Sequence, residues 1–212
     1  MIKVILFDFW GTLVENGVWS PVKQIKNILR IDLPFSEYIV RMERAMMTKK
    51  VSGLHEAFEN VCQEFGIAPE EKLIEELIGM WNKSWMLAQP YNEVVEVLGK
   101  LKENYQLVLV SNTDSSSINN VIEKFELRGF FDKIFFSYEL GLIKTDNLFF
   151  KQVLRELGVT EEEVVMVGDS VQSDIISAKR IGMKAVLIDR KNTRDYHPKI
   201  KNLNELEKVL EL

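Results

Sequence analysis

The sequence predicts an α/β protein, a doubly wound parallel sheet (Rossmann-like) with an α-helical insertion after its first strand. Three observations predict it. Short apolar runs recur along the chain: VILF at 4–7, LVLVS at 107–111, IFFS at 134–137, VVMVG at 164–168 and AVLI at 185–188. Continuous runs of this kind fill strands buried on both faces. Segments of helical period separate the later runs, as crossovers between parallel strands require. Finally, from about Ser20 to Gln89 the chain holds helical periodicity and no strand-like run. The expected division is therefore a core of residues 1–14 and 90–212 and an inserted helical region of residues 15–89.

Taken in order, Ser20-Pro21 reads as a helix start, with proline at the first helical position. Ser36 is placed to cap a helix carrying Tyr38, Ile39, Met42 and Met46. Gly53 to Phe65 forms the next helical pattern and stops at Gly66. Pro69-Glu70-Glu71 opens a longer helix with Leu73, Leu77, Trp81 and Trp85, its acidic first turn matching the helix dipole. In the core, helices are expected at about Tyr91–Asn104, Ser115–Phe125, Asp146–Leu157, Ser170–Ile181 and Leu203–Leu210.

Bulk properties narrow the function classes. The chain has 212 residues, 46% hydrophobic and 28% charged, an ordinary globular composition. A net charge of −5 and a pI near 5.3 argue against nucleic-acid and membrane-surface partners. The single cysteine, Cys62, excludes an intramolecular disulfide and a cysteine-based zinc site. It falls among Ala57, Phe58, Val61 and Phe65 at helical spacing and is expected to pack in a core. The first apolar run is short and broken by Asp8, unlike a signal peptide or spanning segment, so the expected location is cytoplasmic. The expected partner is a small-molecule substrate, and no sequence feature specifies an oligomeric state.

Polar residues stand at the ends of the predicted strands, where open α/β sheets bind ligands. Asp8 ends the first run, and Gly11 marks the loop after it. By itself a strand-end aspartate is a common turn residue. The second run ends in Ser111-Asn112-Thr113, a hydroxyl and backbone N–H groups before a helix, which suits an anion. Lys144, between Gly141 and Thr145, follows the third run, where it can pair with Asp8 and a ligand anion. The fourth run ends in Gly168-Asp169-Ser170, with Asp174 beyond. Two acids after a strand parallel to the one ending in Asp8 fit an oxygen-ligand site for a hard cation, magnesium best.

The stretches FDFWGTL, LVLVSN, GLIKTDNLFF and VVMVGDSVQSD together resemble the four motifs of the haloacid dehalogenase superfamily, in order and spacing. The insertion lies where that superfamily carries a helical cap, and the likeness covers essentially the whole chain. The resemblance implies Asp8 as nucleophile and Lys144 as the lysine that neutralises charge at the reacting centre. It implies Ser111 and the Asn112 backbone as anion binders, Asp169 as a magnesium ligand and Asp174 as a ligand held directly or through water. The family's main-chain carbonyl ligand falls on Trp10, which also places Trp10 beside the phosphate.

Two positions depart from the family pattern. Its phosphatases usually carry a second aspartate where this chain has Trp10, and that aspartate protonates the leaving group and then activates water. The dehalogenases typically have tyrosine there, since halide departs without a proton. Thr145 stands where proline usually follows the lysine. The first motif is thus dehalogenase-like and the fourth phosphatase-like. Acids clustered without a cation are costly to assemble, so the reading that follows is a magnesium-dependent phosphatase of a small phosphorylated molecule, acting through an aspartyl-phosphate. The alternative is a metal-free 2-haloacid dehalogenase acting through an aspartyl ester, with Arg41 or Arg44 as its cationic cradle. A signalling receiver shares the aspartate, lysine and hydroxyl but needs no helical insertion; a non-catalytic small-molecule binder stays open.

Overall fold

In a computed structural model, which describes residues 1–210, the predicted apolar runs become strands of one sheet. These are β1 (Val4–Phe7), β4 (Gln106–Ser111), β5 (Lys133–Phe136), β6 (Val164–Gly168) and β7 (Lys184–Ile188). A short edge strand, β8 (Lys199–Ile200), completes the order β5-β4-β1-β6-β7-β8 with every pairing parallel. Two further short strands, β2 (Val14–Glu15) and β3 (Gln89–Pro90), pair antiparallel where the chain leaves and re-enters the sheet region. Neither that pair nor β8 was legible in the sequence, because two-residue strands carry no periodicity.

Alternation along the strands explains how one run serves two faces. Ile5, Phe7, Leu107, Leu109, Val165 and Val167 point to one side, and Val4, Leu6, Val108, Val110, Val164 and Met166 to the other. The first side is covered by α5 (Val94–Leu101), α6 (Ser115–Lys124) and α10 (Leu206–Leu210). The second is covered by α8 (Asn147–Leu157) and by residues 171–180. Each fully buried large side chain contributes about 1.5–3 kcal/mol relative to exposure. The sheet is therefore a stiff platform for the loops at its carboxyl edge.

Residues 15–89 contain α1 (Pro21–Ile28), α2 (Phe35–Met47), α3 (Leu54–Glu64) and α4 (Glu71–Met86). They bury a cluster of their own around Tyr38, Met42, Met46, Phe58, Cys62, Leu77 and Trp81. Cys62 is buried and free, as its spacing predicts. Two caps differ from expectation. Helix α1 does begin at Pro21, but Ser20 has a positive φ of 36° and its side chain makes no capping bond. Helix α2 starts at Phe35, after Pro34 rather than after Ser36. The core helix expected at 170–181 is also irregular: Val171–Ile176 is π-helical and only Ser177–Arg180, α9, is α-helical. Such wide turns recur at functional sites.

Candidate functional site

The sheet order sets the site. From β1 the chain moves to β4 on one side, and from β6 to β7 on the other. The strand order therefore reverses between adjacent β1 and β6, which is where such sheets open a crevice at their carboxyl ends. Asp8 follows β1 and Asp169 follows β6, so both acids stand at that crevice. The Asp8 N–H donates to the Val167 carbonyl at 2.9 Å, extending the ladder and fixing where its side chain begins.

Asp174 joins them from the π-helical turn. One carboxylate oxygen each from Asp8, Asp169 and Asp174 lies within 4.8 Å of the others. Two glycines make that approach possible. A Cβ on Gly168 would sit 2.2 Å from Asp174 Oδ2, and one on Gly11 would sit 2.6 Å from Asp169 Oδ2. Gly11 also has φ of 79°, a left-handed value that disfavours any side chain. The backbone just after Trp10 thus packs against the Asp169 carboxylate.

Lys144 binds the cluster together. Its Nζ donates to Asp8 Oδ1 at 2.6 Å and to Asp174 Oδ1 at 2.5 Å, and its side chain is almost wholly buried. Burial alone would lower its affinity for the proton, but Asp174 and Asp8 outweigh burial and hold it above the ordinary lysine range. Asp169 is pushed up chiefly by burial and then by the charges of Asp8 and Asp174. Asp174 is pushed up by burial, with Lys144 opposing and Asp8 assisting. Two carboxylates share one ammonium while the third, Asp169, has only the more distant Arg194 and Lys144 charges to oppose its neighbours, an arrangement that leaves negative charge poorly compensated. The all-oxygen donor set and that charge fit a hard divalent cation.

The remaining predicted residues fall around this group. Ser111 is fully buried, and its Oγ makes only a marginal 3.5 Å contact with the Asn112 carbonyl. Asn112 accepts the Lys144 N–H at Oδ1, 2.9 Å away, and so positions the lysine as well as the loop. Trp10 is half-buried, stands edge-on to Phe9 and donates from Nε1 to Thr113 Oγ1 at 3.3 Å. It lines a cavity of about 550 Å³ together with Asn112, Asp169 and residues of the helical region. Arg41 pairs with Glu64 at 2.6 Å within the helical region. Arg44 reaches Asp146 of the sheet region at 2.6 Å. Both arginines are thus already occupied by carboxylates.

The sequence reading missed several members. Thr12 donates to Asp8 Oδ2 at 3.2 Å. The Trp81 indole N–H reaches Asp114 Oδ2 and Ser117 Oγ, both at 3.0 Å, while Asp114 Oδ1 caps α6. Trp81 therefore ties α4 to the sheet region besides packing among its neighbours. Most consequential is Glu43 on α2, whose Oε2 accepts from Asn112 Nδ2 at 2.7 Å. A signal was present: Ile39, Glu43 and Met47 lie four apart and all line the cavity, so an acid interrupts an apolar stripe.

Comparison with known proteins accords with this geometry. Residues 2–182 match the family of haloacid dehalogenase-like hydrolases. A glyceraldehyde 3-phosphate phosphatase of Methanopyrus kandleri is 27% identical over 208 residues, 94% of this chain and 89% of that protein. A HAD phosphatase structure from Thermococcus onnurineus is 25% identical, with a TM-score of 0.63 over 99% of this chain and 98% of that one. An L-2-haloacid dehalogenase from Xanthobacter autotrophicus superposes with a TM-score of 0.71 over 100% of this chain and 99% of the other, at 18% identity. That last likeness is one of fold.

Proposed function

The chain belongs to the haloacid dehalogenase-like hydrolases, and from that premise we propose that it is a magnesium-dependent phosphatase of small phosphorylated molecules. The observation that carries the reading is the crowding of Asp8, Asp169 and Asp174 within 4.8 Å of one another, with the Lys144 ammonium bonded to only two of them, Asp8 and Asp174. A cation-assisted anion chemistry explains why such a cluster is assembled; displacement of a halide does not need it. Relatives named glyceraldehyde 3-phosphate phosphatase, 27–29% identical, support a phosphate ester of triose size as the first substrate class to try. The occupied state of Arg41 and Arg44 weakens the dehalogenase alternative, which drew its cationic cradle from them.

In this reading residues 15–89 form a cap over the crevice and residues 1–14 and 90–212 form the catalytic core, a division supported by the separate apolar cluster of the four helices. Asp8, Asp169, Asp174 and the Trp10 carbonyl would hold magnesium. When bound, the metal supplies positive charge to the transferring phosphoryl group. The Asp8 carboxylate attacks phosphorus and carries the phosphoryl group as an acyl phosphate. Thr12 and Lys144 hold its two oxygens in a fixed direction. Lys144 also offsets charge on the phosphoryl oxygens, and Ser111 with the backbone at Asn112 orients them. Water then attacks phosphorus and frees Asp8.

The test is metal dependence on two substrates, an aryl phosphate and a 2-chloroacid. Phosphate release that requires magnesium and stops with chelator is the expected result. Chelator-resistant chloride release without phosphatase activity would reverse the assignment in favour of the dehalogenase.

A further inference from the structure

Cleaving an alkyl phosphate requires a proton for the departing alkoxide, and general acid catalysis of this kind contributes about 10²–10⁴-fold. The residue two past Asp8 is Trp10, whose indole has no proton to exchange near neutral pH and is engaged with Thr113. The donor must therefore be sought elsewhere on the cavity wall. Of the acids there, Asp169 belongs to the cluster assigned to the metal, and Asp189 is bonded by the Arg194 N–H at 2.7 Å and held below the ordinary carboxylate range. Tyr91 is covered by the Arg190 guanidinium, 3.3 Å from its ring centroid, and its phenol is pushed up to about 12. Glu43 is left.

We infer that Glu43, reaching in from α2, is the catalytic acid that protonates the leaving oxygen and then the base that activates water. The inference rests on the phosphatase reading. The placement is direct: Glu43 lines the same cavity as Trp10 and Asp169, and its Oε2 accepts from Asn112, the residue that also accepts the Lys144 N–H. One carboxyl oxygen is thereby fixed, and no hydrogen bond to the other is found among the described residues. The groups acting on Glu43 are Asn112, Lys144, Asp174 and Asp8 from the sheet side and, on its own helix, Tyr38. Burial, assisted by the Asp174 and Asp8 charges and opposed by Asn112 and Lys144, raises its carboxyl to about 7. A group so placed is protonated in a useful fraction at neutral pH and is equally able to take a proton back.

The steps balance. As the Asp8 oxygen bonds to phosphorus, the bond from phosphorus to the leaving oxygen breaks. Its electron pair takes the Glu43 proton, giving an alcohol and the Glu43 carboxylate. Water then adds to phosphorus while losing a proton to Glu43. The bond between phosphorus and Asp8 breaks, releasing phosphate and restoring both acids.

The test is Glu43→Gln, which keeps an acceptor for Asn112 and has no exchangeable acid. The readout is kcat/KM, which ends at phosphoryl transfer, over phosphate esters of graded leaving-group pKa. Wild type should depend weakly on leaving-group pKa. In Glu43→Gln, alkyl esters should fall about 10²–10⁴-fold, aryl esters much less, and Glu43→Asp should recover part of the loss. A melting temperature no lower than that of wild type would show that the loss is not one of folding. Equal loss on alkyl and aryl esters, or no loss on either, would overturn the inference while leaving the phosphatase reading intact. Wild type releasing phosphate from neither class would overturn both.

Discussion

The two walls of the crevice are built by different means. On the sheet side, Asp8, Asp169 and Asp174 are delivered by the backbone. Two come from the ends of paired strands and one from a π-helical turn, with Gly11 and Gly168 removing the side chains that would hold them apart. On the opposite side, Glu43 is delivered by a surface stripe of an amphipathic helix and reaches the sheet region through Asn112, with Arg44–Asp146 and Trp81–Asp114 beside it. The first wall can shift only if the sheet does. The second is joined by polar links and by Trp85, which packs against both apolar clusters, while its four helices pack mainly against each other. In the proposed reaction the nucleophile and metal ligands demand fixed geometry, whereas the proposed proton donor must meet a leaving group that differs between substrates. A rigid wall suits the first need and an adjustable one the second.

The most severe way to break this arrangement is Asp8→Asn. The amide has nearly the same volume but is a poor nucleophile, so turnover should fall on the order of 10⁴-fold or more. The melting temperature of the metal-free protein should hold or rise, because one of three crowded negative charges is gone. Circular dichroism melting beside single-turnover assays checks both halves. Retained activity in a pure sample would exclude covalent catalysis by Asp8.

A smaller effect sharpens which wall holds the acid. Trp10→Asp moves an acid to the sheet side. In a Glu43→Gln background it should raise kcat/KM on alkyl phosphates by about 10-fold or more, within the span open to acid–base catalysis. In wild type the gain should be much less, since a donor is already present. Loss of the indole leaves a cavity that costs stability, and the new carboxylate must sit near Asp8 and Asp169, so melting temperatures are compared alongside. Equal gains in both backgrounds would mean that Glu43 supplies no proton.

The smallest effect is on stability. Glu43 has a folded-state carboxyl raised to about 7 from an ordinary 4.5, so the fold prefers it neutral. The resulting penalty is absent below the unfolded value, grows as pH rises through the window between the two, and is complete above about 7. Glu43→Gln should therefore melt higher than wild type at pH 8, by a few degrees at most, and nearly equally at pH 4. A gain that is the same at both pH values would show that charge on Glu43 is not what destabilises it.

The sheet can be read from residue order alone, because strands buried on both faces are written as unbroken apolar runs and the polar residue ending a run marks the carboxyl edge. Asp8, Ser111 and Asp169 stand out for that reason, each a local departure from a local pattern, whereas Lys144 lies beyond its run and is picked out only by following a strand and by the motif resemblance. Gly11 and Gly168 were legible too, although the need for them was not, since each makes room for an acid distant in sequence or folded back on a turn. What crosses the crevice depends on folding in three dimensions. Asn112 and Glu43 are 69 residues apart, and Arg44 and Asp146 are 102 apart. On α2 the periodicity that located the helix shows Glu43 only as an acid interrupting an apolar stripe, between Ile39 and Met47. Periodicity reports which side of a helix is apolar. It cannot report which acid on that helix the fold turns toward a second layer, because that depends on how two separately packed cores meet.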